Sequence, residues 1–376
     1  MPETRGIKRA RPGDESPDSS PLSTIFVSES DLESTLSDLE DFRIKRSEAV
    51  WYDDGNVILQ VGDTRFRVHK SILSAQSRVF RERFLEKPEA KKTKGKPGGG
   101  RPRRPRFVDG VEVVRLEGDS VQDWTYVLQI VYDGHRTYRS DTSYPFSVVR
   151  AMLTLGDKYG FEYLRSQAVY LYEKTFPSDF STFSGIYYSP STNMKMTEKW
   201  IRMDARTTLV DVADMANLFG LIACLPAIYY LVVSQKDFMS CIATGFARED
   251  GTRAIFSRDF IQILLSGREK LITAAARKMF NWLWSIPEII PAAGSCKDKI
   301  SCRNSLREIH AKYWWPSFPP SKILGQWNTR YAQDLCPACA KVAQAEFCKG
   351  QKEVRKDLPG FFGLSAWEEL QNRGRA

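Results

Sequence analysis

The chain has 376 residues, 42% of them hydrophobic and 12% aromatic, which fills ordinary cores and leaves room for two domains beside unstructured sequence. A net charge of +9 spread along the chain would point to nucleic acid or a membrane surface, but residues 88–106 hold eight Lys or Arg against Glu89 and so carry +7 of it. No extended basic face is implied, and nucleic acid is an unlikely partner on this count. Seven cysteines, an odd number, and a polar, basic opening from Met1 to Arg11 lead to the expectation of an intracellular chain with free thiols, in cytoplasm or nucleus.

Residues 1–48 are expected to be a disordered tail. Arg5 to Pro12 is basic, an acidic run with Glu29, Asp31, Glu33, Asp38, Glu40 and Asp41 follows, and few apolar side chains are available to offset the entropy of ordering. The basic cluster reads as a chance feature of such a tail ahead of a nuclear-localisation signal. Order is expected from Ala49 to Tyr52 onward.

Asn56–Val61 and Thr64–Val68 are β-type runs joined by Gly62-Asp63, a two-residue connection whose glycine supplies the positive φ of a tight hairpin. Phe66 and Val68 fall on one face of the second run, Arg65 and Arg67 on the other. The period then becomes helical. Ile72 and Leu73 mark the inner side of a short helix after His69, Ser77 is an N-cap for the next helix, and Phe80 and Phe84 lie one turn apart on it. The Gly/Pro-rich basic insertion 88–106 cannot pack a core and reads as a solvated, disordered loop.

Val111–Leu116 is a third strand. Ser120 to Tyr132 is a helix with Trp124, Val127, Leu128 and Val131 on one side, and 147–159 and 161–175 are two more helices separated at Gly160. Beyond about residue 199 the pattern is helical. Leu209 to Val233 reads as one helical segment bent or broken at Pro226. Its apolar run Leu218 to Val233 is short of the about 20 residues a membrane span needs, so it reads as buried core. Ser257 is a candidate cap for the run that follows, and Leu271 to Trp284 is strongly apolar.

The run from Val57 to Phe84, strand, Gly turn, strand, His-Lys helix and Phe-rich helix, resembles the BTB/POZ domain. Residues 177–376 more loosely resemble a group of BTB proteins common in fungi, through Gly267-Arg-Glu-Lys-Leu271, paired cysteines and the closing Leu358-Pro-Gly-Phe-Phe-Gly-Leu-Ser-Ala-Trp-Glu-Glu-Leu370. The resemblance implies protein–protein interaction. BTB domains commonly dimerise through their N-terminal segment and first helix, and some recruit cullin ubiquitin-ligase scaffolds while others recruit transcriptional corepressors. In repressor-type members a buried Asp opens the first strand and partners a basic residue after the helix-opening His. The corresponding positions here are Asn56 and Lys70, so the charged half of that pair is missing. The insertion at 88–106 is a second departure.

Three histidines are few for acid–base chemistry. His69 matches the family's structural His at the helix start, and His135 falls in a polar loop after a helix. No nucleophile elbow, phosphate-binding loop, zinc-protease motif or dinucleotide fingerprint is present, and Gly98-Gly-Gly100 is linker. The cysteines are the ambiguous set. Cys336-Pro-Ala-Cys339 and the upstream pair Cys296 and Cys302 could hold a structural zinc, with Cys348 or His310 as substitutes. The long interval 303–335 exceeds common zinc-ribbon spacing, so plain thiols are the preferred reading and no cofactor is expected.

The resulting expectation is an α+β chain: a BTB/POZ domain at 49–176 with a small three-stranded-type sheet and the insertion at 88–106, then a mainly helical domain at 177–376. The expected function is a non-catalytic interaction adaptor that self-associates through the BTB domain, with a cullin scaffold as one candidate partner and no membrane contact. The alternative is a nuclear transcriptional regulator whose basic segments touch nucleic acid.

Overall fold

Strand β1 (Lys45–Trp51) opens the described chain, and the hairpin of β2 (Val57–Val61) and β3 (Thr64–Val68) follows it. Val61 pairs Thr64 across the turn, where Gly62 takes φ +52°, so the hairpin has the two-residue loop its sequence demands. These come from a computed structural model that describes residues 44–85, 106–137, 143–178, 200–204, 208–284, 289–292, 294–314 and 318–372. Residues 1–43 of the expected tail and 88–105 of the basic insertion lie outside the described residues.

The sheet has five strands in the order β1-β3-β2-β5-β4, two more than the sequence marks. Strand β5 (Val111–Leu116) runs parallel to β2, pairing Val57 with Glu112 and Val61 with Leu116, while the short β4 (Arg106–Val108) pairs it antiparallel on its far side. The central β2 is buried on both faces, which its near-continuous apolar sequence requires. The outer strand β1 buries only Ser47 and Val50, so it lacks the alternating pattern by which strands are recognised. Strand β1 includes Lys45 to Glu48, which fall in the stretch expected to be tail.

Helices α1 (Lys70–Gln76) and α2 (Arg78–Leu85) follow β3 as the period change indicates. Ser77 caps α2, its hydroxyl accepting from Phe80 N–H at 3.1 Å and donating to the Tyr159 carbonyl, which ties α2 to the end of a later helix. Helix α3 (Val121–Thr137) buries Trp124, Val127 and Leu128. It continues past the expected end at Tyr132, with a non-helical residue at Asp133, so the backbone of His135 is helical and does not form a loop. Helices α4 (Phe146–Tyr159) and α5 (Glu162–Thr175) are separated by Gly160 at φ +66°. Phe80, Trp124, Tyr159 and Phe161 pack ring to ring between these helices, with centroids 5.0–6.3 Å apart.

The helical region packs against α5. The short strand β6 (Tyr144–Pro145) pairs in parallel with β7 (Ile201–Arg202), and Tyr172 of α5 donates to the carbonyl of Val212 in α6 (Leu209–Leu218). The chain then turns at Gly220, φ +67°, before α7 (Leu225–Val233), every residue of which is buried. The expected break at Pro226 is displaced. Glycine ends α6, and Pro226 sits in the first turn of α7, where it has no intrahelical N–H to lose. After α8 (Phe238–Thr244) and the strand pair β8 (Phe246–Ala247) and β9 (Arg253–Ala254) comes α9 (Arg258–Ala274), whose cap Ser257 accepts from Phe260 N–H.

Helix α9 runs into a π turn at Ala275–Met279 and then α10 (Asn281–Trp284). Helix α11 (Lys299–Trp314) precedes the long α12 (Pro337–Lys356), and α13 (Leu358–Phe361) lies near the end. Two glycines set the close approaches here. A Cβ on Gly350 of α12 would overlap the Lys278 carbonyl of the π turn, and one on Gly267 of α9 would overlap the ring of Phe362. The two sequence motifs of this region, around Gly267 and around Phe362, are thus in contact. The described residues from Arg46 onward cluster as one compact unit.

Candidate functional site

The start of α1 is held from three sides. Asn56 Oδ1, just ahead of β2, accepts the backbone N–H of Lys70 at 2.8 Å, and Lys70 Nζ reaches Glu112 Oε2 of β5 at 2.6 Å. His69 receives the Tyr132 hydroxyl on two sides: its backbone N–H donates to that oxygen at 2.8 Å and its Nδ1 lies 3.2 Å away. Nε2 of the same ring is 3.2 Å from the exposed carboxylate of Asp54, and the hydrogen bond to His69 holds Asp54 below the usual carboxylate range. Tyr132 in turn stacks on Tyr52 at 4.5 Å, and burial pushes its phenol up to about 12. Both imidazole nitrogens therefore face partners of the fold, which agrees with a structural His69.

A second polar knot, unmarked by any sequence motif, surrounds Asp119 in the turn between β5 and α3. Trp124 Nε1 donates to its Oδ2 at 2.9 Å, and Lys158 and Tyr159 of α4 also bond the carboxylate. Burial pushes Asp119 up, but the hydrogen bonds from Lys158, Tyr159 and Trp124 outweigh it and leave the group below its ordinary value. Tyr159 moves the other way, raised by burial and by the carboxylate it donates to.

The four candidate cysteines of the C-terminal region come together. Their Sγ atoms all lie within 4.8 Å of one another, and Cys296 and Cys336 are 3.8 Å apart. Cys302 sits in the first turn of α11, Cys336 at the N-cap of α12 and Cys339 one turn into it, while Cys296 belongs to the loop before α11. The long interval 303–335 is closed by tertiary structure: Ser305 of α11 donates to the Asp334 carbonyl at 2.7 Å, which sets the first turn of α11 beside the start of α12. Sequence spacing argues against the cluster because it reflects distance along the chain and not in space.

Backbone N–H groups donate to two of these sulfurs. Cys302 accepts from Cys336 at 3.4 Å and Cys339 from Ala292 at 3.2 Å. The N–H of Cys339 is the largest influence that brings the Cys336 thiol down to about 6, while burial raises Cys302 and Cys339. Neither suggested substitute joins the group. Cys348 is exposed on α12, and His310 packs edge-on against Trp284 at 5.2 Å.

The sheet with its central parallel pair β2–β5, the hairpin at Gly62 and the helices that follow define the class of protein, a small mixed sheet packed with helices of the interaction-module kind. Residues 53–175 match the BTB/POZ domain family, and the chain carries a BTB/POZ domain there. Such domains are typically protein-interaction modules, and they support partner binding and self-association in general. No curated protein matches the chain. Among the described residues, no helix is long and apolar enough to cross a membrane.

Proposed function

We propose that this chain is a non-catalytic adaptor that self-associates through its BTB/POZ domain and bridges to a second protein, with a cullin ubiquitin-ligase scaffold as the first candidate. The observation that carries the reading is the BTB/POZ match over 53–175 on a sheet whose outer strands, among the described residues, are β1 and β4. An outer strand offers unpaired N–H and C=O groups to another chain. On β4, Phe107 is 60% exposed, so an apolar side chain accompanies one of these edges.

The start of α1 supports the cullin branch over a corepressor branch. The amide of Asn56 caps a backbone N–H, and the Lys70 cation is paired with Glu112, so residue 56 presents no carboxylate to a partner. The proposal includes an intracellular location, supported by the odd number of cysteines. Titration of the full chain with a purified cullin N-terminal domain in a calorimeter tests the finer part. Saturable binding is expected. No heat of binding, with self-association intact, would remove the cullin from the reading and leave the adaptor.

A further inference from the structure

Cys296, Cys302, Cys336 and Cys339 form, we propose, a structural zinc site that fastens the loop before α11 and the first turns of α11 and α12 to one another. The inference is independent of the adaptor reading and concerns a part of the chain outside the BTB/POZ domain.

Four features of the cluster carry it. The first is number and type: four thiols, with no other metal-ligating group in the cluster among the described residues, are the donor set of a closed tetrahedral site. The second is scale. With zinc–sulfur bonds near 2.3 Å, the edge of a tetrahedron of thiolates is about 3.8 Å. Cys296 and Cys336 stand at 3.8 Å and every pair lies within 4.8 Å, so small side-chain adjustments complete the geometry. A disulfide, at about 2.05 Å between sulfurs, would require a much closer approach.

The third feature is the shell behind the ligands. Cys302 and Cys339 accept backbone N–H groups, an arrangement that orients thiolates and offsets the negative charge of a tetrathiolate centre. The pattern is built by the fold, since the N–H donors are those of Ala292 in the loop and Cys336 at the start of α12. The fourth is enclosure. Cys339 is fully buried and Cys302 nearly so, and four protein sulfurs leave no open position for water or substrate. That assigns the metal a structural role. Binding replaces the S–H bonds that remain with four Zn–S bonds and releases those protons to solvent, with no oxidant or reductant involved.

The test uses the full chain, purified without chelator, with its metals measured by elemental mass spectrometry. One zinc per chain is expected, lost to background in Cys336→Ser and retained in Cys348→Ser, whose thiol is exposed and outside the cluster. Because Cys336→Ser could fail to fold, the unaltered protein supplies a second reading. Its four cluster thiols should resist alkylation until a strong chelator is added, and the stripped protein refilled with cobalt should show the thiolate charge-transfer and visible bands of a tetrahedral tetrathiolate. Unaltered protein that stays metal-free when offered zinc would overturn the proposal. So would iron in place of zinc, zinc retained in Cys336→Ser, or a disulfide among the four in freshly purified protein.

Discussion

Lys70 Nζ lies 2.6 Å from Glu112 Oε2, and the backbone N–H of the same lysine is taken by Asn56 Oδ1 at 2.8 Å. One residue thus joins the start of α1 both to the approach to β2 and to the neighbouring strand β5. The two bonds differ in kind, and they are expected to differ in worth.

Asn56→Ala removes the acceptor for a helix-start N–H and is expected to cost about 1 kcal/mol. Asn56→Asp keeps an acceptor in place and should stay within about 0.5 kcal/mol of the parent. Lys70 and Glu112 are each about one-third exposed, so solvent screens their attraction, and Lys70→Met should cost less than about 1 kcal/mol. Urea denaturation curves on the four proteins order these effects. A larger loss from Lys70→Met than from Asn56→Ala would reverse the assignment.

Gly350→Ala and Gly267→Ala are expected to destabilise by about 1–3 kcal/mol each, through overlap and not through backbone strain. Gly350 should be the more costly, because the Lys278 carbonyl it meets is backbone and cannot rotate away. Gly267 meets a side chain, so Phe362→Leu should recover part of the loss in Gly267→Ala and nothing in Gly350→Ala. Melting temperatures of the single and double variants check this.

Asp119→Asn should cost about 2 kcal/mol at neutral pH, since the bonds from Lys158, Tyr159 and Trp124 are made to a charged acceptor. The folded chain holds Asp119 below its ordinary value of 3.8, so this contribution is present above that pH and is lost as pH falls through the lower folded value. The gap between parent and variant should therefore narrow in strong acid. A gap that is constant with pH would mean that the loss is one of packing.

Asp214 has the opposite sign. Burial first, and then the neighbouring Asp211 carboxylate, push it up to about 6, while Arg248 is engaged by Asp211. A raised acid favours folding while protonated, so its contribution is full below 3.8 and is lost as pH rises through about 6. Asp214→Asn should then stabilise the protein at pH 7.5 and do nothing at pH 4. The carboxylate is packed on one side while the residue keeps part of its surface exposed, so solvent screening limits the gain to under about 1 kcal/mol. Thermal melts at the two pH values measure it.

Local rules made much of the fold readable. Gly62 in the hairpin, Ser77 and Ser257 as caps, and Gly160 between α4 and α5 each act within a few residues of themselves, and each is where its chemistry places it. The same locality explains the misses. Strand β1 buries too few residues to alternate, and β4 is too short to show a pattern. Asp119 is a single acid in a turn until α4 folds back upon it, bringing Lys158 and Tyr159 from about forty residues away. The cysteines belong to the same group. Their residue types were visible, but their gathering depends on α11 and α12 packing start to start, which no spacing along the chain encodes.

Multi-angle light scattering of the purified full chain across a dilution series tests the adaptor account most directly. The account expects a mass of twice 43.0 kDa, and a dimer of the shortened chain when residues 88–106 are deleted. A mass of one chain at every concentration would contradict it.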